Sequence, residues 1–232
     1  MGVLYDMPHY GAIIYGPCDG LYYLYVAEFR AFWNPTINEL TPLPPIITKP
    51  NPPANAIYPS DDVYGFGLDP LTEDYKVVIL RYYWSMDDDD ETPTRPLSCY
   101  TVVKGRCFWL GSTHYTDAIY RELIISFDMA FDSFREIPVP NYQRPNYYYS
   151  ASTTTLGMYE DSLAFFCVHR EMNEEGILDI WTFNDGVWTK IFTIGPILGL
   201  WIPVGHWQSN KVLLEFEGHK IVLCDPNERD DP

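Results

Sequence analysis

The chain has 232 residues, of which 47% are hydrophobic and 20% charged, a composition that excludes intrinsic disorder. Its 15 Lys and Arg against 32 Asp and Glu give a formal net charge of −17. This charge disfavours nucleic acids and anionic membranes as partners and favours a basic protein. Aromatic residues make up 16% of the chain and are interspersed with 20 Pro and 15 Gly, which is typical of many short strands joined by turns.

No stretch is suited to cross a membrane or to direct secretion. The most apolar run, Ile191–Val204, has 14 residues and is interrupted by Gly and Pro, and Met1–Asp6 has no features of a signal peptide. The five cysteines are widely spaced and form no CxxC pair, so we expect neither a disulfide scaffold nor a zinc site, and a reducing, cytoplasmic setting. They are Cys18, Cys99, Cys107, Cys167 and Cys224.

One pattern recurs along the chain: a short aromatic or β-branched run, then Asn or Asp at a turn, then a second run. Asn and Asp side chains bond to backbone two residues on, so we expect them to cap these turns. Successive copies are 35 to 59 residues apart, about 48 on average, close to one four-stranded propeller blade. The sequence therefore predicts an all-β propeller of four or five blades. The copies are Phe29–Trp33 before Asn34, Tyr64–Leu68 before Asp69, Leu123–Phe127 before Asp128, Ile177–Phe183 before Asn184, and Lys220–Cys224 before Asp225.

Further strands and loops lie between these copies. Asp185-Gly186 predicts a type I′ hairpin turn, because both of its central positions need positive φ. The proline-rich segment Leu43–Pro59 and the acidic segment Asp87–Pro96 are predicted as loops. Five apolar runs are predicted as more buried strands. They are Leu21–Val26, Val77–Leu80, Cys107–Leu110, Leu163–Val168 and Val212–Phe216.

Several of these segments resemble the plant F-box-associated domain. Tyr64–Val78, YGFGLDPLTEDYKVV, is similar to the family signature G-F-G-x-D-x-x-T-x-D-Y-K-V-V. The other matching elements keep the family's order from residue 16 to about 227, and the resemblance implies a kelch-like β-propeller. Those elements are Gly16–Leu21, Phe32–Thr36 with Leu43–Pro45, Ile125–Asp128 with Phe134–Pro138, and Ile180–Lys190.

Within this family the chain looks most like the S-locus F-box proteins of pollen, which recruit non-self S-RNases to an SCF-type ubiquitin ligase in self-incompatibility. The resemblance implies a substrate-recognition module that spans residues 1–232 and needs no cofactor. No F-box helices precede residue 16, so we expect this chain to be a fragment or truncated product that cannot itself reach the Skp-type adaptor and cullin. The family's hairpin between Val78 and Cys107 is not evident, which predicts an incomplete blade.

Two segments are candidates for partner binding. Asp87, Asp88, Asp89, Asp90 and Glu91 lack the alternating ligands of a calcium loop, so we favour a solvated loop, with attraction of a basic partner as the second interpretation. Tyr147, Tyr148 and Tyr149 alternate faces if they lie on a strand, which exposes at least one ring, as in protein-binding hot spots. The alternative, which we favour, is an edge strand packed on a neighbouring blade.

A hydrolase is the rival interpretation. It requires two carboxylates about 5–10 Å apart, one with a raised pKa. The nearest sequence candidate is Asp69 with Asp74, but turn capping explains both. The histidines are scattered without a metal-binding signature, so we predict no catalytic residue and no metal site. They are His9, His114, His169, His206 and His219.

Overall fold

The computed structural model describes residues 13–26, 29–45, 56–59, 62–81, 83–85, 91–115, 119–142, 153–170, 175–207 and 211–226. These residues form 19 strands, and none of them lies in a helix. A membrane-spanning helix is accordingly not found in the described ranges.

The strands follow one another closely along the chain. The first ten are β1 (Ile13–Cys18), β2 (Leu21–Val26), β3 (Phe29–Asn34), β4 (Glu39–Pro42), β5 (Ala56–Pro59), β6 (Val63–Leu68), β7 (Tyr75–Leu80), β8 (Tyr83–Ser85), β9 (Glu91–Val103) and β10 (Arg106–Tyr115). The others are β11 (Ile119–Asp128), β12 (Ser133–Pro138), β13 (Thr153–Tyr159), β14 (Ser162–Arg170), β15 (Glu175–Asn184), β16 (Val187–Leu198), β17 (Leu200–Trp207), β18 (Lys211–Phe216) and β19 (Lys220–Cys224).

The strands form antiparallel sheets arranged as the blades of a propeller. The four blades are β1–β4, β9–β12, β13–β16 and the three-stranded β17–β19. Hairpin β6–β7 lies between the first two blades, and β5 pairs with β8. The first strands of successive sheets pack side by side, β1 on β6, β6 on β9, β9 on β13 and β13 on β17. The all-β propeller is confirmed. The β6–β7 sheet has two strands in the described ranges, and the predicted incomplete blade stays a prediction.

The core lies between neighbouring sheets. Consecutive residues of β14 face opposite sides of their sheet, so Phe165 packs toward the second blade and Phe166 toward the fourth. Both rings are fully buried. A strand covered on both faces needs apolar residues at every position, which explains the uninterrupted run Leu163–Val168.

The predicted strands and turn caps are largely confirmed. Each of the ten predicted runs lies within a strand. Oδ1 of Asn34 accepts a hydrogen bond from the amide of Thr36 at 3.0 Å, and Asp69 and Asp128 cap their own turns in the same way. At the predicted hairpin turn, φ is 51° for Asp185 and 83° for Gly186, as a type I′ turn requires.

Two loop predictions are partly wrong. Ala56–Pro59, at the end of the proline-rich segment, is strand β5, and residues 91–96 of the acidic segment belong to β9. Proline is tolerated in β9 because this strand is the edge of its sheet and its pairing shifts register between Tyr100 and Pro96. Residues 46–55 and Asp87–Asp90 lie outside the described residues.

Candidate protein-binding surface

Of the eight partner-binding residues predicted from the sequence, the described structure includes the backbone of one, Glu91. Asp87–Asp90 and Tyr147–Tyr149 lie outside the described residues. Glu91 is the first residue of β9 and pairs with Tyr115 in the backbone register, but its side chain lies outside the described part. These eight residues therefore stay predictions.

Lys76 joins two turns that belong to different sheets. Its Nζ lies 2.8 Å from Oδ2 of Asp69, which precedes the β6–β7 turn, and 2.8 Å from Oδ1 of Asp132 in the β11–β12 turn. The same ammonium donates to the carbonyl oxygen of Met129 at 2.7 Å. One half-buried lysine thus fixes the position of one turn relative to the other.

Each of the two turns is also closed by hydrogen bonds of its own. Asp69 Oδ1 accepts from the amide of Leu71 at 2.8 Å, and the amide of Asp69 donates to the carbonyl of Asp74 at 2.9 Å. In the second turn, Asp128 Oδ1 accepts from the amides of Ala130 and Phe131 at 3.0 and 3.3 Å. These local bonds reduce the number of backbone conformations open to each turn.

A third turn, Lys104-Gly105 between β9 and β10, packs against both. The carbonyl of Gly105 accepts from the amide of Met129 at 3.0 Å, and a Cβ atom on Gly105 would lie 3.1 Å from the ring of Pro70. Residues 69–74, 104–105 and 129–132 therefore form one continuous surface, here called the three-turn surface.

This surface exposes two large apolar side chains. Leu71 is 68% exposed and Phe131 is 74% exposed, each at the tip of a capped turn. Around them Glu73, Asp74 and Asp132 are exposed acids, and Lys104 is an exposed base. Large apolar side chains on rigid, water-exposed backbone are typical of sites that contact another protein.

A polar network lies deeper in the third blade, centred on Asp179 of β15. This carboxylate is 6% exposed and accepts from Thr193 Oγ1 at 2.6 Å and from Lys190 Nζ at 2.7 Å, and His169 Nε2 lies 3.3 Å away. Nearby, Tyr142 packs its ring 6.0 Å from that of His169 and donates to Glu122 of the second blade. The network therefore lies where two blades meet.

The electrostatics of the buried aspartates differ from those of a paired-carboxylate hydrolase. Lys76, with the amides of Leu71 and Thr72, lowers the pKa of Asp69 to about 2. Burial alone would raise the pKa of Asp179, but hydrogen bonds from Lys190 and Thr193 lower it overall. A general acid needs a raised pKa, so these carboxylates suit ion pairing better than proton transfer.

Asp69 and Asp74 have the turn roles that the sequence suggested, whereas the partners of Asp69 in three dimensions were not predicted. The partner Lys76 could have been found from the sequence. It is the second residue of β7 and Asp69 directly follows β6, so the two face each other across one hairpin turn. Asp132, 56 residues further along, became identifiable only from the packing of the sheets. In the described part of the chain no group of three or more His, Cys, Asp or Glu could hold a metal ion.

Comparison with known proteins points to one group of relatives. No family model matches the chain. A putative F-box protein of Arabidopsis thaliana is 26% identical over an alignment 198 residues long, which covers 74% of this chain and 48% of that protein. An F-box/kelch-repeat protein of the same plant is 26% identical over an alignment 238 residues long, which covers 91% of this chain and 61% of that protein.

These similarities support a propeller domain of the F-box-associated, kelch type. The chain spans about half to three-fifths of the length of these relatives. Both of them are named as F-box proteins, and the similarity to the second extends over 91% of this chain.

Proposed function

We propose that this chain is the substrate-recognition module of an SCF-type ubiquitin ligase. The observation that supports this most is similarity to an F-box/kelch-repeat protein along 91% of a chain that folds as a propeller. In this role the module catalyses no bond chemistry. It holds a target protein so that a separate ubiquitin-conjugating enzyme can modify the target's lysines. The module comprises residues 1–232 and works in the cytoplasm.

The target proposed for the module is a basic S-RNase, as for the S-locus F-box proteins that the chain resembles. Two features support this target. The segment Gly16–Gly20 resembles that group, and the net charge of −17 accelerates encounter with a basic protein. The acidic segment Asp87–Glu91 and the tyrosines Tyr147–Tyr149 are proposed to contribute to this contact.

A reconstituted ligase tests the proposal. The chain is fused behind an F-box, combined with the Skp-type adaptor, cullin and conjugating enzyme, and offered a panel of purified S-RNases. We expect ubiquitin transfer to at least one S-RNase and none to a similarly basic unrelated ribonuclease. The chain without the F-box should bind the S-RNase but not the adaptor. Absence of S-RNase binding by both forms would contradict the proposed target, and an inert fusion that binds no adaptor would favour a truncated product without ligase function.

The contribution of the acidic segment is tested by neutralisation. Replacing Asp87–Glu91 by Asn and Gln should slow association with the S-RNase and flatten its dependence on salt, because long-range attraction between opposite charges acts on the association rate. The matched control neutralises exposed acids on another turn, Glu160 and Asp161. Equal association rates across ionic strength for all three proteins would contradict the role of this segment.

A further inference from the structure

The apolar tips of the three-turn surface are held in a fixed arrangement. Leu71 and Phe131 lie on turns from different sheets, and Lys76 bonds to both turns within 2.8 Å. A turn whose backbone is already ordered loses less conformational entropy on binding than a free loop does. The surface is therefore preorganised for contact, although both side chains are more than two-thirds exposed.

The buried support beneath the surface adds to this rigidity. Met129, in the same turn as Phe131, is fully buried, and its Cε packs 3.0 Å from where a Cβ of Gly67 would be. Phe134, at the start of β12, lies 4.7 Å from the ring of Phe127 and is itself 52% exposed. A third exposed apolar side chain thus lies on the strand that follows the turn.

Charge identifies the kind of occupant. Glu73 and Asp74 border the apolar tips, Asp132 is paired with Lys76, and Lys104 is the one exposed base in the three-turn surface. A second copy of this chain would bring another 17 negative charges, and an anionic membrane would also be repelled. A protein segment that combines Lys or Arg with apolar side chains complements both features.

We propose that the three-turn surface is the docking site for such a basic, apolar segment of the target protein. Leu71 and Phe131 are the anchors, and Glu73 and Asp74 guide the cationic residues beside them. This inference rests on the proposed function as a target receptor, and it specifies which face of the propeller receives the target.

A synthetic peptide tests the surface without an S-RNase. The probe is a fluorescent peptide that alternates Lys or Arg with Phe and Leu, and its comparison peptide has Ser in place of Phe and Leu. We expect the whole chain to bind the probe more tightly than the comparison peptide, measured by fluorescence anisotropy. The double variant Leu71→Ser/Phe131→Ser should weaken binding of the probe about tenfold or more.

Two matched variants separate the surface from general effects. Ile221→Ser/Leu223→Ser removes exposed apolar area from β19 and should change affinity less than about twofold. Glu73→Gln/Asp74→Asn should reduce the salt dependence of binding more than Glu160→Gln/Asp161→Asn does. Circular dichroism and the unfolding midpoint verify that all four variants are folded. Failure of the chain to bind the probe, or an equal loss in both apolar variants, would overturn the docking site.

Parallel measurements with the S-RNases distinguish this inference from the proposed function. If an S-RNase binds and Leu71→Ser/Phe131→Ser leaves its affinity unchanged, the docking site is wrong while the receptor function stands. If the probe requires Leu71 and Phe131 but no S-RNase binds, the surface stands and the proposed target is wrong. If Leu71→Ser/Phe131→Ser loses binding of both the probe and the S-RNase, the result supports both the docking site and the proposed target.

Discussion

The indole nitrogen of Trp109 donates a hydrogen bond to the carbonyl oxygen of Tyr64, 3.1 Å away. Trp109 lies on β10 of the second blade and Tyr64 on β6 of the neighbouring hairpin, so this bond joins two sheets through one buried side chain. Neither residue is more than 1% exposed. A two-stranded hairpin is only marginally stable alone, and we infer that such contacts with its neighbours hold β6–β7 in the ring.

Replacing Trp109 by Phe should therefore destabilise the fold. The variant loses the indole N–H, leaves the carbonyl of Tyr64 without this partner and opens a cavity, for a combined loss of about 2–4 kcal/mol in the free energy of unfolding. Urea unfolding followed by fluorescence measures the change. Trp201→Phe is the control, because Trp201 is 46% exposed, and we expect it to lose no more than about 0.5 kcal/mol. Similar losses in the two variants would contradict this role of Trp109.

The close packing of β6 on Trp109 gives a second prediction. A Cβ atom on Gly65 would lie only 2.4 Å from Cζ2 of the Trp109 ring, a contact that forces the ring or the strand to move. Gly65→Ala should therefore cost about 1–3 kcal/mol of unfolding free energy. Gly67→Ala, two residues along the same strand, should cost clearly less, because its nearest neighbour at 3.0 Å is the flexible end of Met129. Equal costs at both glycines would contradict the assigned contact.

Features that depend on residues close in sequence were predictable. The caps at Asn34, Asp69 and Asp128 and the type I′ turn at Asp185-Gly186 follow from local backbone chemistry, and the structure contains them. The order of apolar and polar residues likewise located the strands, since each strand has to cover at least one inter-blade core.

Features that depend on the register between strands were not predictable. Cys167 is paired with Asp179, and Asp179 with Thr193, so the polar network of the third blade follows from the alignment of three strands. The link between Lys76 and Asp132 depends on two separate sheets meeting at one face. The wrong prediction of a loop over residues 91–96 of β9 has a similar origin. The prolines in this segment are acceptable only on an edge strand, and edge position is a property of the whole sheet.

The ion pair between Asp69 and Lys76 predicts a specific response to acid. The pKa of Asp69 in the folded protein is about 2, below the ordinary value of 3.8. The ionised carboxylate therefore stabilises the fold above about pH 4, and this stabilisation is lost as the pH falls toward 2. Asp69→Asn keeps an oxygen for the turn cap but removes the charge. We expect the variant to unfold a few degrees lower than the native chain at pH 7, with the difference shrinking between about pH 4 and 2. The other carboxylates titrate in both proteins, so their effects on Tm cancel in the difference between the variant and the native chain. A difference in Tm that is constant over this range would contradict the prediction.

The Lys104-Gly105 turn offers a stabilising substitution. Lys104 has φ of 49°, in the left-handed region where the Cβ of an ordinary residue crowds the backbone, whereas Asn adopts this region more readily. Lys104→Asn should therefore raise the free energy of unfolding by about 0.5–1 kcal/mol, measured from the urea midpoint. Lys104→Gln is the matched control, since it removes the same charge from an exposed position without the preference of Asn for this backbone conformation. If the free energy of unfolding rises more in Lys104→Asn than in Lys104→Gln, the effect is due to relief of backbone strain. Equal changes in the two variants would assign it to the lost charge instead.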